Sequence, residues 1–202
     1  RSLWSRGLGD VYKRQVVEAE EWNVLPVTDD SAESELLATG ISAVKTGDLA
    51  TANEVAAKLM ELAEGNNPSN QIRYREVAAL ISLAEGAGDD AIAHMDAALE
   101  VVAGMRLPNG AASPVKPPYE LYGEILLELD RADEAVAKFE RSLERMPGRA
   151  RSLLGLARAA DQSGDAETAA AQYAQLRSNW EGREDLLGYQ EADRYLQQTN
   201  DQ

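Results

Sequence analysis

In the stretch Tyr119 to Pro147 the apolar residues recur in steps of three and four. Leu121, Tyr122, Ile125, Leu126 and Leu129 form one stripe, and Ala135, Val136, Phe139, Leu143 and Met146 form the next. Steps of that size gather side chains on one face of a helix, whereas a half-buried strand would alternate. Strictly alternating runs of Val, Ile, Thr and aromatic residues are hard to find anywhere in the chain. The pattern therefore predicts an all-α protein of paired amphipathic helices. Gly47-Asp48, Gly88-Asp89 and Gly164-Asp165 stand between the members of three pairs. Glycine can end the first helix in the left-handed conformation, and aspartate can cap the exposed N–H groups of the second. The remaining pair has Asp130-Arg131, which is expected to turn as well, since aspartate tolerates that conformation better than most residues.

The pairs repeat. Laying Ala135 on Ala169, an offset of 34, also lays Phe139 on Tyr173 and Gly123 on Ala157. Two looser copies centre on Ala52 and Ala91, so alanine holds this position in all four units. Gly40, Ala79, Gly123 and Ala157 are the small residues on the first helices, and together the two sets let paired helices approach closely. The predicted units span about 31–65, 69–103, 117–148 and 149–181. Residues 16–30 precede them as a linker or remnant of upstream chain. Gly104 to Pro118, with four prolines, is too long for a repeat turn and cannot be helical, so it is expected as an ordered surface loop or a flap. A final helix over 183–198 sets Leu186, Tyr189, Ala192, Tyr195 and Leu196 against a polar side, which suits a capping helix.

A 34-residue helix–turn–helix unit with small residues at close contacts, an aromatic in the second helix and a closing proline, Pro147, resembles the tetratricopeptide repeat. The third unit matches almost completely. The fourth has Glu181 for the proline, the second has Met95 for the aromatic, and the first keeps Leu36, Gly40, Gly47 and Ala52. The run from Lys116 to Ala160 is similar to the C-terminal end of longer bacterial tetratricopeptide proteins, which are often exported. The resemblance implies a right-handed superhelical solenoid of about four repeats plus the cap. It also implies that first helices line a concave groove for an extended or helical peptide. Carried over by position, the groove is Arg73, Glu76 and Leu80, then Glu120, Glu124 and Leu127, then Arg151, Leu154 and Arg158. The lysine-and-asparagine set by which some family members hold a terminal carboxylate is not reproduced. The implied function is a protein–protein interaction scaffold with a protein or peptide partner. The alternative is an accessory packing domain beside an upstream enzyme or ligand-binding domain.

Charge narrows the partners. The chain carries a net charge of −15. Its first fifteen residues hold four cations and one anion, which leaves −18 on the rest. Such a surface repels phosphate backbones and anionic lipid, so neither nucleic acid nor a membrane surface is expected as partner. Those first fifteen residues show neither a helical stripe nor a signal-peptide pattern. Ser5 to Gln15 resembles the in-frame translation of a transposon-based sequencing adapter. On that reading the tail is non-native and disordered, the protein sequence starts near Val16, and upstream chain is missing. The compartment stays open between cytoplasm and periplasm. Cysteine is absent, which removes disulfides and thiolate metal sites. His94 is the single histidine, and neither GxxxxGK[ST] nor HExxH occurs. The sequence thus predicts no catalytic residue, no metal and no cofactor.

Overall fold

Each of the four aligned alanines is reached through the same turn. Five residues before Ala52, Ala91, Ala135 and Ala169 the backbone is left-handed, at Gly47 (φ 80°), Gly86 (79°), Asp130 (57°) and Gly164 (86°). The next N–H then donates to the carbonyl five positions back: Asp48 to Ala43, Ala87 to Ser82, Arg131 to Leu126 and Asp165 to Ala160, all at 2.8–2.9 Å. This closure satisfies carbonyls that a helix C-terminus would otherwise leave unpaired.

In this computed structural model, which describes Lys13 and residues 16–65, 67–108 and 114–200, the turns join four helical hairpins. They are α1 (Glu33–Thr46) with α2 (Leu49–Ala63), α3 (Pro68–Ala84) with α4 (Gly88–Ala103), α5 (Pro118–Glu128) with α6 (Ala132–Arg145), and α7 (Ala150–Ser163) with α8 (Ala166–Asn179). A last helix, α9, spans Leu187–Asn200. No strand occurs among the described residues, and the all-α reading of about four helix pairs and a terminal helix holds.

The caps follow the expected turn chemistry in three hairpins and depart from it in the second. Asp48 accepts from the Thr51 N–H at 3.1 Å, and Asp165 accepts from the Thr168 N–H at 3.0 Å. Asp130 takes the left-handed conformation without glycine. In the second hairpin, however, the turn glycine is Gly86 rather than Gly88. Gly88 opens α4, Ala87 occupies the cap position without a side-chain bond, and Asp89 and Asp90 lie in the first turn. Two glycines stand two residues apart there, and only the first is the correct distance from Ala91. Without a side-chain acceptor at the cap, the two aspartates favour the helix N-terminus through its dipole.

Residues 1–12, 14 and 15 of the adapter-like tail lie outside the described residues. Lys13 falls within that tail, yet it is helical, 8% exposed, and donates to Ser34 Oγ at 3.2 Å. Val16 and Val17 are buried, and the stretch before α1 is tied down where the Asn23 N–H meets Ser42 Oγ and Lys58 meets Asp29. In the proline-rich segment, residues 109–113 lie outside the described residues. Residues 104–107 are exposed, Val115 and Lys116 are buried, and Pro118 already starts α5.

The chain forms two compact units, Arg1–Pro118 and Tyr119–Gln202. In the first, each helix from α1 to α4 packs on the next, and α1 also packs on α3. First helix therefore meets first helix, as in a stack of hairpins. Gly40 marks the contact: a Cβ there would lie 2.8 Å from Val77 of α3 and 3.0 Å from Val55 of α2. In the second unit α6, α7, α8 and α9 pack in sequence. Its corresponding contact is Phe139, fully buried, with its ring against Gly123 of α5 on one side and Gly155 of α7 on the other. All four repeat alanines are 0% exposed, as are Ala79 and Ala157. Small residues here are a steric requirement, because the neighbouring helix already fills the place of a larger side chain.

Gly155→Ala should therefore overpack Phe139 and destabilise the chain by about 1–3 kcal/mol or more. Adding Phe139→Leu to that variant should recover part of the loss, although Phe139→Leu alone leaves a cavity. Urea denaturation of the three variants checks this, and an unchanged midpoint for Gly155→Ala would contradict the packing.

Candidate functional site

The nine residues placed in a groove by family position have very different surroundings. In the first unit, Arg73 is half-buried and donates to Asn70 Oδ1 at 2.6 Å. Glu76 and Leu80, on the same helix, are 1% and 2% exposed. The cause is the packing of α3, which is flanked by α1, α2 and α4 and so has little circumference left for water. Both residues are interior here and offer a peptide no surface.

The second unit divides its six residues likewise. Leu154 belongs to the core formed with Leu153, Ala157, Tyr173, Leu176 and Ala192. Glu120, at the start of α5, is fully buried. Its carboxylate accepts from Arg149 Nε at 2.6 Å, from Arg149 Nη2 at 3.0 Å and from Ser152 Oγ at 2.7 Å. Ser152 Oγ lies 2.9 Å from Ser142 Oγ of α6. One buried network thus joins α5, α6 and the head of α7. A bidentate guanidinium–carboxylate pair is among the strongest and most directional of side-chain contacts. Buried as it is, it fixes how the third and fourth hairpins meet.

Glu124, Leu127, Arg151 and Arg158 keep some contact with solvent. Leu127 is half-buried, and the side chains of Glu124, Arg151 and Arg158 are 25%, 10% and 41% exposed. Glu124 Oε1 and Arg151 Nη2 are 3.7 Å apart, which brings the corresponding faces of α5 and α7 side by side. Arg158 points instead to the last helix. Its Nε and Nη2 donate to Glu191 at 2.8 and 2.6 Å, and Tyr173 Oη donates to the same carboxylate at 2.8 Å. The capping helix thus packs Ala192, Tyr195 and Leu196 on the core and adds a polar clamp at Glu191.

That clamp sets the titration of its members. Burial alone would raise the Glu191 carboxyl, but the hydrogen bond and charge of Arg158, with the bond from Tyr173 and the Arg194 charge, outweigh it and hold the group below its ordinary range. Burial, and then the bond to ionised Glu191, push the Tyr173 hydroxyl up.

Sequence reasoning passed over one more cluster. His94 is half-buried on α4, and its Nδ1 lies 3.1 Å from Arg75 Nη1 of α3. Arg75 stands where the third unit has Tyr119, an irregularity visible in the repeat alignment.

By architecture, then, the chain is an all-α protein of helical hairpins with tetratricopeptide-like register and a terminal helix docked on the last pair. Among solved structures it is similar to MamA MSR-1, with 22% identity and a TM-score of 0.48 over 89% of this chain and 96% of that one. It is also similar to MamA AMB-1, with 22% identity and a TM-score of 0.49 over 88% and 95% of the two chains. No family model and no curated protein matches the chain.

Two outcomes test these networks. Arg149→Ala should cost about 3–5 kcal/mol, because it strands a buried carboxylate, while Glu120→Leu with Arg149→Met should be close to neutral. Chemical denaturation separates the two, and equal losses would show that the pair is not acting as a unit. The clamp should appear in the acid limb of stability. A carboxyl with a depressed folded pKa stabilises fully above its ordinary value near 4.5 and loses that contribution as pH falls through the folded value. Glu191→Gln should therefore be less stable than the parent at pH 7 and show a shallower decline below pH 4.5, read from melting temperatures across that range.

Proposed function

We propose that this chain is a protein-interaction scaffold that holds a peptide segment of its partner without a covalent step. Within the second unit the receiving surface is the face of α5 and α7 that carries Glu124, Leu127, Arg151 and Arg158. One observation supports the reading. The Glu124–Arg151 approach aligns two first helices so that both charge signs and a partly exposed leucine share one face. Glu124 is a quarter exposed at the edge of that face and Arg151 is set more deeply beside it. The same charges would set orientation and encounter rate more than affinity. Arg73 is the corresponding residue of the first unit. Glu76, Leu80, Glu120 and Leu154 act here as supports beneath such a surface. Among the described residues no helix is long and apolar enough to cross a membrane.

The test uses immobilised peptides with one leucine anchor and either an acidic or a basic flank. Capture of the acidic series should be lost in Arg151→Glu with Arg158→Glu. Adding Glu191→Arg restores a pair to the capping helix and should return stability but not capture. Retention of capture by the stabilised triple variant would move binding elsewhere.

A further inference from the structure

Arg75 and His94 meet where α3 packs on α4, and His94 is the only histidine of the chain. The 3.1 Å separation runs from a guanidinium nitrogen to His94 Nδ1. A guanidinium has only donors, so Nδ1 must be the bare acceptor and the ring proton must sit on Nε2. Tyr74 meets the imidazole edge-on, with centroids 6.3 Å apart and planes at 79°. The Arg75 guanidinium also lies 5.4 Å from the Tyr74 ring. The contact therefore joins both helices of the second hairpin through a neutral imidazole.

We propose that Arg75 and His94 form a proton-operated clasp that loosens α3 from α4 as the medium passes from neutral to mildly acidic. Protonation at Nδ1 has two effects. It replaces the acceptor with a donor, so the hydrogen bond from Arg75 is lost. It also sets an imidazolium against a guanidinium that cannot itself give up a proton.

The groups facing the ring are Arg75 and Tyr74 from α3 and Asp90 from one turn earlier on α4. Burial, and next the Arg75 charge, hold the imidazole below its ordinary range, and Asp90 opposes them more weakly. Because the folded state favours the neutral ring, the stabilisation is complete above the ordinary histidine value near 6.5. It is lost as pH falls through the lower folded value.

A lone histidine makes the experiment direct on the whole chain. The C2–H resonance of His94 is followed by NMR from pH 8 to pH 5, and melting temperatures are taken over the same range. Both are repeated for Arg75→Gln, and melting also for His94→Gln, which keeps an acceptor oxygen with no proton to gain. The expected midpoint lies below about 6.5 in the parent and moves up in Arg75→Gln. Between pH 7.5 and 5.5 the parent should lose more in melting temperature than His94→Gln does. A parent midpoint at or above the ordinary value, or equal losses in parent and His94→Gln, would overturn the clasp.

Discussion

Close approach between helices is the constraint on which this architecture depends. Where α1 meets α2 and α3, and where α6 meets α5 and α7, one side of the contact is reduced to glycine. The other side is Val55, Val77 or the ring of Phe139. Interiors pack as densely as organic crystals, so a methyl group added at such a place has nowhere to go. The turn geometry follows from the same constraint. Helices that nearly touch must be joined by a short reversal, and a left-handed residue five positions before the alanine supplies it.

Once that packing is in place, it decides what the charges can do. Glu120 and Arg149 are 29 positions apart in the chain, yet α5 and the head of α7 are held so closely that water is excluded and the pair becomes an internal bolt. Removing water strengthens the Coulomb attraction and raises the cost of a wrong partner. Such a pair favours one arrangement of the two hairpins over sliding alternatives more than it adds net stability. The Glu124–Arg151 contact, one turn further along α5, is longer at 3.7 Å and lies nearer to solvent.

The hairpins were legible in the sequence because their signals are local and repeated. The alanine, the small residue of the first helix, and the glycine or aspartate of the turn each recur at fixed distances. The one turn misplaced, at Gly88, had two glycines to choose from, and only the count back from Ala91 separates them. The candidate surface was far less legible. Glu76, Leu80, Glu120 and Leu154 occupy positions that a family pattern turns outward, but their burial depends on what packs beside α3, α5 and α7. Ser142 and Ser152, polar residues on otherwise apolar stripes, were the available hint that a charge would be satisfied inside. His94 was underrated because its partner lies on the other helix of the pair, 19 residues earlier.

Phe139 has a wider consequence for how the second unit comes apart. Its ring is held by α5 of its own hairpin and α7 of the following one, so it belongs equally to both. Neither pair can open without uncovering the same aromatic surface, and each would leave the other with a notch that solvent must fill. The third and fourth hairpins thus share a single fate on unfolding, and deleting one would expose a wound in its neighbour rather than yield a shorter, intact array.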